Sequence, residues 1–318
     1  MKDRGDCLQR WIHEGEFRFA RLDLPDIDNG PVVRVYGSDI LAEETCLLHR
    51  GAEGAADYLE RLHDYVRIGM TQRRPAPVVR FADGEYAFYN GALGCNGLYR
   101  QAESAGAIRG AMPMHIDALR SLAAGGKLAP LIFPGNIVHR RKKGLLPFFL
   151  RRREEPSAIR FLDFLRQNGI RVNDENYIPF YAVYAYLTSA VFARLVDGRK
   201  LVILTARFDA EAYRSWFARF GSRPEIFFVR IPAEYVATRW ETIRDGILNG
   251  IPPDADLCLV GAGAGALPVS VDAAQRHSIP ALDAGHVLNM MNASEDNPCG
   301  VRLFTIRKPK MENERDDR

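Results

Sequence analysis

Apolar positions along the chain recur at two different spacings, and the change from one to the other divides it. From Ala56 to Met70, apolar Tyr58, Leu59, Leu62, Tyr65, Val66 and Met70 fall on one face at helical spacing, which predicts an amphipathic helix that Pro75 and Pro77 close. Beyond it, short apolar runs alternate with longer helix-period stretches. The runs Pro77–Phe81, Leu128–Phe133, Leu201–Thr205, Ile226–Ile231, Leu257–Val260 and Ile279–Leu282 read as strands. Between them, helices are predicted around Met114–Ala124, Ser157–Asn168, Pro179–Leu195, Ala210–Phe220, Ala233–Asn249 and Leu267–His277. Repeated strand, loop and helix predict an α/β fold: a Rossmann-like layered domain with a mainly parallel sheet over residues 73–305. An N-terminal extension, residues 1–72, would precede it, and a polar tail, residues 306–318, would follow.

Composition fits a globular protein. The 318 residues are 47% hydrophobic, enough to fill a core, and the formal charge of +3 supplies no global field of the kind that non-specific nucleic-acid binding needs. Cys7, Cys46, Cys95, Cys258 and Cys299 are scattered, without a Cys-x-x-Cys pair, so neither a disulfide framework nor a thiolate zinc site is expected. A cytoplasmic setting follows, and the charged N-terminus lacks the apolar stretch of a signal peptide. The uncharged stretch Tyr177–Ala193 approaches the roughly 20 residues that span a bilayer. Pro179 in a first turn and the stop at Asp197-Gly198 favour a buried helix instead.

One block stands apart. Arg140-Arg141-Lys142-Lys143 and Arg151-Arg152-Arg153 flank apolar Leu145–Leu150. Such a segment suits a peripheral contact with an anionic membrane or a clamp on an anionic acceptor, and equally a solvated loop with an apolar plug; Pro147 argues against one continuous helix.

Three segments carry candidate chemistry. Asp83-Gly84-Glu85 follows the run ending at Phe81, where open α/β sheets bind ligands. On extended backbone, carboxylates at i and i+2 project to one side, and Gly84 permits the tight approach that a shared cation requires. Mn²⁺ or Mg²⁺ suits one or two carboxylates completed by substrate phosphate oxygens. A polar turn after a strand accounts for the same three residues. Arg80 would face a bound diphosphate bidentately, or form a salt bridge.

The second segment, Gly261-Ala262-Gly263-Ala264-Gly265-Ala266, joins a strand to a helix and matches the G-x-G-x-x-G/A dinucleotide pattern, with Asp283 at the distance of a ribose-binding acid. An NAD(P)-dependent oxidoreductase is therefore a competing reading. Too little chain follows Asp283 for the usual two halves, so the weaker expectation is a phosphate-friendly nest of amides. The third, Asp283-Ala284-Gly285-His286, presents an acid and an imidazole at a strand end, as base, metal ligand, partners to substrate hydroxyls or plain structural residues. No nucleophile elbow and no Walker A sequence is present. A non-enzymatic, membrane-adjacent assembly protein using Arg140–Arg153 is a third reading.

Taken together, Arg80-Phe81-Ala82-Asp83-Gly84-Glu85 near the start of the domain and Asp283-Ala284-Gly285-His286 near its end resemble the bacterial glycosyltransferases of the GT-D fold. That family opens on R-F-G-D-G-E and closes with a small-residue turn and D-x-G-H. The likeness runs from residue 75 to about 292 and takes in Phe228–Ala233 before the helix with Trp240. It implies a Rossmann-like domain in which Asp83 and Glu85 bind Mn²⁺ or Mg²⁺ and, through it, the diphosphate of a UDP-sugar. It also implies that Arg80, Gly84, Gly261, Gly263 and Gly265 line the nucleotide and that Asp283 or His286 serves a glycan, lipid-linked or glycoprotein acceptor. Ala82 departs from the family's glycine, and the turn at Gly261 departs from its usual G-P-T-A.

Overall fold

The computed structural model describes residues 11–12, 14–21, 32–34, 45–95, 99–134, 158–293 and 304–306. The basic block Arg140–Arg153 and most of the polar tail lie outside them. Near the N-terminus, β1 (Phe17–Arg21), β2 (Val32–Arg34) and β3 (Thr45–His49) precede helix α1 (Ala56–Gln72). Then come β4 (Ala76–Phe81), α2 (Asp83–Tyr89), β5 (Gly94–Cys95), β6 (Tyr99–Arg100), α3 (Ala105–Gly125), β7 (Lys127–Pro130) and α4 (Ala158–Gln167). The remainder runs α5 (Phe180–Leu187), α6 (Ala190–Leu195), β8 (Lys200–Thr205), α7 (Ala210–Ala218), β9 (Glu225–Arg230), α8 (Val236–Leu248), β10 (Leu257–Val260), α9 (Ala266–His277), β11 (Pro280–Asp283), α10 (His286–Met291) and β12 (Phe304–Ile306).

Six strands form one all-parallel sheet in the order β7-β4-β11-β10-β8-β9, which matches the six strands and the layered α/β class expected from the sequence. Both faces of the inner strands are buried, as is usual for parallel sheets, while the edge strand β9 is partly exposed. Alternation does the sorting: Leu201, Ile203, Leu257 and Leu259 enter one core, while Val202, Leu204, Cys258 and Val260 enter the other. Helices α1, α5 and α6 pack together in one layer, and α3, α8 and α9 in another. Part of the N-terminal extension joins the first core. Phe17, Leu47, Leu48 and Tyr58 pack there, and the Tyr177 hydroxyl donates to the Leu47 carbonyl at 2.7 Å.

Two helices differ from their predicted limits for identifiable reasons. α3 begins at Ala105, capped by Ser104 Oγ accepting from the Ala107 amide at 3.0 Å, and carries Pro113 within it instead of starting beyond that proline. The uncharged stretch forms α5 and α6, not one helix. Ser189 caps the second by accepting from the Phe192 amide at 3.1 Å, and Thr188 Oγ1 donates back to the Tyr184 carbonyl at 2.9 Å. Among the described residues no helix is long and apolar enough to cross a membrane.

His115 of α3 is wholly buried and links three elements: the Tyr89 hydroxyl lies 3.0 Å from Nδ1, and Nε2 lies 2.9 Å from the Ala237 carbonyl. Burial lowers its pKa to about 4, against the pull of that carbonyl. The imidazole therefore sits neutral, with Nε2–H donating to Ala237 and Nδ1 accepting from Tyr89. An unfolded chain takes up this proton near the ordinary pH of about 6.5. Stability is thus fully present above that pH and falls as pH drops from about 6.5 to about 4, by roughly 3 kcal/mol at about 1.4 kcal/mol per unit. Urea melts at pH 7 and pH 4.5 should show this loss in the wild type and a flatter acid limb in His115→Gln; equal acid sensitivity in both would contradict it.

Candidate active site

The site is built where three neighbouring strands end. β4, β11 and β10 lie side by side, so the segments after Phe81, after Val260 and around Asp283 share one rim, although Asp83 and Asp283 are far apart in the chain. With strands about 4.8 Å apart, the three segments fall within roughly 10 Å across the sheet. This is the carboxyl edge at which open α/β sheets take their ligands.

Asp83, Gly84 and Glu85 do not continue the strand. They form the first turn of α2, with Ala82 extended as its N-cap. Glu85 folds back so that its Oε2 accepts the Ala82 amide at 2.8 Å, the reciprocal half of a capping box whose Ser or Thr partner is here an alanine. The extended D-x-E geometry expected from the sequence is thereby corrected: i and i+2 on a helix do not face each other. Both side chains still lean toward the helix start, because Cβ atoms tilt that way, and so toward the rim. Asp83 is exposed and Glu85 half-buried. Burial, and then the charge of Asp283, pushes the Glu85 carboxyl up to about 7. Gly84 is buried, and its carbonyl accepts from Gln101 Nε2 at 2.8 Å.

Of the two roles expected for Arg80, the structure shows the salt bridge. The arginine is buried, and three of its groups grip Asp283: Nη2 donates to Oδ1 at 3.1 Å, the backbone N–H to Oδ2 at 3.2 Å, and Nε to the Asp283 carbonyl at 3.0 Å. The guanidinium also lies over the Tyr184 ring at 4.5 Å and the Phe180 ring at 5.4 Å. Burial works against its charge, but the Asp283 carboxylate more than offsets that and holds Arg80 protonated. For Asp283, burial raises the pKa while the guanidinium pulls the other way. Arg80 and Asp283 are thus paired with each other in this structure, and each Asp283 carboxylate oxygen accepts one hydrogen bond from Arg80.

The clasp explains the glycine that follows. Gly285 has φ +39°, ψ −119°, and a Cβ there would stand 2.1 Å from Arg80 Nη2. The far end of an arginine would normally swing aside, but this one is pinned. His286 then opens α10, half-buried at the rim, with Nδ1 3.4 Å from the Asn289 amide nitrogen.

The glycine turn divides by role. Gly263 is exposed with φ +54° and opens a 3₁₀ turn, Gly263–Gly265, that leads into α9. Gly261 and Gly265 are small because neighbours leave no room: Cβ atoms would lie 2.8 Å from Leu288 Cδ1 and 2.7 Å from Val236 Cγ1. Gly265 is buried, Gly261 half-buried and Gly263 exposed.

Among the described residues no three His, Cys, Asp or Glu side chains converge on a metal position. The donor set nevertheless suits a hard cation that takes its other ligands from phosphate and water. Asp83 is exposed and Glu85 half-buried in the first turn of α2, and Glu85 Oε1 is not the oxygen that accepts the Ala82 amide. The residues that the sequence did not single out are Tyr184, Phe180 and Gln101. An aromatic pair at i, i+4 was visible, its cationic partner was not.

No profile of a known protein family matches the chain, and no curated protein matches it. Three solved structures resemble it. One is a glycosyltransferase (DUF1792) from Streptococcus sanguinis, with 17% identity and TM-score 0.43 over 74% of this chain and 81% of that one. Another is a selenomethionine-substituted domain of unknown function 1792, with 15% identity and TM-score 0.41 over 76% and 84%. The third, a domain 1792 protein described as having a distinct glycosyltransferase fold, has 15% identity and TM-score 0.42 over the same shares.

The clasp is testable by stability. Asp283→Asn leaves the buried guanidinium without its countercharge and should cost roughly 3–5 kcal/mol. Gly285→Ala forces a left-handed alanine, roughly 1–3 kcal/mol, and displaces the same guanidinium. Because both act on one contact, urea denaturation of the double variant should show a loss well below the sum. Additive losses would show the two residues to be independent.

Proposed function

We propose that this chain is a metal-dependent glycosyltransferase that moves a sugar from a nucleoside diphosphate, UDP in the leading reading, to a hydroxyl of a glycan, lipid-linked or glycoprotein acceptor. One observation carries the reading: the two end motifs that resemble GT-D glycosyltransferases, and the glycine turn, sit on the ends of three adjacent parallel strands. Asp83 and Glu85 would hold Mn²⁺ or Mg²⁺, Glu85 through Oε1, since Oε2 is engaged by Ala82. When bound, the cation offsets charge building on the departing diphosphate.

The chain's own residues supply positioning. The turn around exposed Gly263, whose φ of +54° suits glycine, receives the phosphates at the rim, while the Gly261 amide is held by the Leu204 carbonyl at 2.8 Å. Arg80 and Asp283 fix the turn that delivers His286 to the rim, and Gly84, held by Gln101, sets the start of α2. His286 is the group that takes the acceptor's hydroxyl proton. The acceptor oxygen then bonds to the sugar's anomeric carbon as the bond from that carbon to the diphosphate breaks.

Isothermal titration of UDP with and without Mn²⁺ tests this. Binding should need the metal and weaken by at least about ten-fold in Asp83→Asn. Metal-independent binding that survives Asp83→Ala with Glu85→Ala would overturn it.

A further inference from the structure

Phe228 is one of two large hydrophobic side chains exposed among the described residues, at 38%, and unlike Ile68 it belongs to a built array. Its ring lies 4.7 Å from that of Phe208 and 9° from parallel; Phe208 in turn lies 5.1 Å and 20° from Tyr213. Tyr213 is wholly buried, and its hydroxyl donates to the Leu288 carbonyl of α10 at 3.3 Å, the helix that His286 opens. The three rings form a slab that runs from beneath α10 outward to the sheet edge.

Three features make this slab a surface rather than a leftover. Phe208 is the middle ring, so one face of Phe228 is covered and the opposite face is left to solvent. β9 is the last strand of the sheet among the described residues, so no further strand lies beside Phe228. Two exposed arginines flank it: Arg230 is on the same side of β9 as Phe228, two residues on, and Arg207 precedes Phe208. Neither forms an ion pair among the described residues. The near-parallel pair at 4.7 Å is one of the two arrangements that aromatic rings favour, so the array is a packed unit.

The slab lies at the end of β8 and on β9, beside β10 with its glycine turn. It is two strands, roughly 10 Å, from that turn. A flat apolar face bordered by guanidinium donors suits a pyranose ring, whose C–H face stacks while its hydroxyls accept. From this placement we propose that Phe228 is the platform of an acceptor-sugar subsite, with Arg207 and Arg230 as its hydrogen-bond donors. The inference rests on the glycosyltransferase reading and names where its acceptor lies.

The experiment is ligand-observed NMR on the full chain, with methyl β-D-glucoside, methyl β-D-galactoside and methyl N-acetyl-β-D-glucosaminide as probes and UDP with Mn²⁺ as a separate arm. At least one glycoside should show upfield ring-current shifts of its C–H protons. Phe228→Ala should abolish them and weaken binding roughly 3- to 10-fold, Phe228→Tyr should retain them, and UDP binding should not change in either variant. Absence of glycoside shifts in the wild type, shifts that survive Phe228→Ala, or loss of UDP binding with glycosides unaffected would each overturn the platform. The last outcome would assign the ring to the nucleobase. The glycosyltransferase reading fails separately, if UDP binds without regard to metal and to Asp83.

Discussion

The buried pair of Arg80 and Asp283 joins the first and last strands of the parallel sheet to be laid down in the chain, which lie next to each other in space. A lone guanidinium in that position would be costly to desolvate, and so would a lone carboxylate. Here each is the other's solvent, helped by the Phe180 and Tyr184 rings. The geometry follows from this requirement. The guanidinium presses on position 285, that position must be glycine, and the chain turns there into the helix that begins with His286. Burial, with the charge of the clasp's Asp283 added to it, raises the pKa of Glu85 at the start of α2 to about 7, and Arg80 offsets only part of this.

Seen this way, the conspicuous residues of the two end motifs divide into those that build the rim and those that face it. Arg80, Asp283, Gly285 and Gly265 build it by pairing or by giving way to neighbours. Asp83, Glu85, Gly261, Gly263 and His286 are left at the surface or half-buried, where a ligand can reach them.

The strands were legible because short continuous apolar runs bounded by turn residues mark buried parallel strands, and all six appear within a few residues of their expected limits. Helix ends were less so. Pro113 reads as a breaker but is accommodated inside α3, and Ser189 caps a new helix within a stretch that hydropathy alone reads as continuous. The positions of the site segments were readable from strand ends, but not their conformation. Asp83-Gly84-Glu85 looks extended because it follows a strand, and only the Glu85 to Ala82 hydrogen bond reveals a helix start. The role of Arg80 was hidden for a different reason. Its partner lies 203 positions away, and no local pattern tells an arginine aimed at phosphate from one aimed at a buried aspartate.

The most direct measurement is a crystal structure with Mn²⁺ and UDP bound, read for the position of the Arg80 guanidinium. The division of roles predicts that Nη2 stays on Asp283 Oδ1, near the present 3.1 Å, with the diphosphate over Gly261 to Gly263 and the metal on Asp83. A guanidinium that has left Asp283 to pair with the phosphates would contradict it.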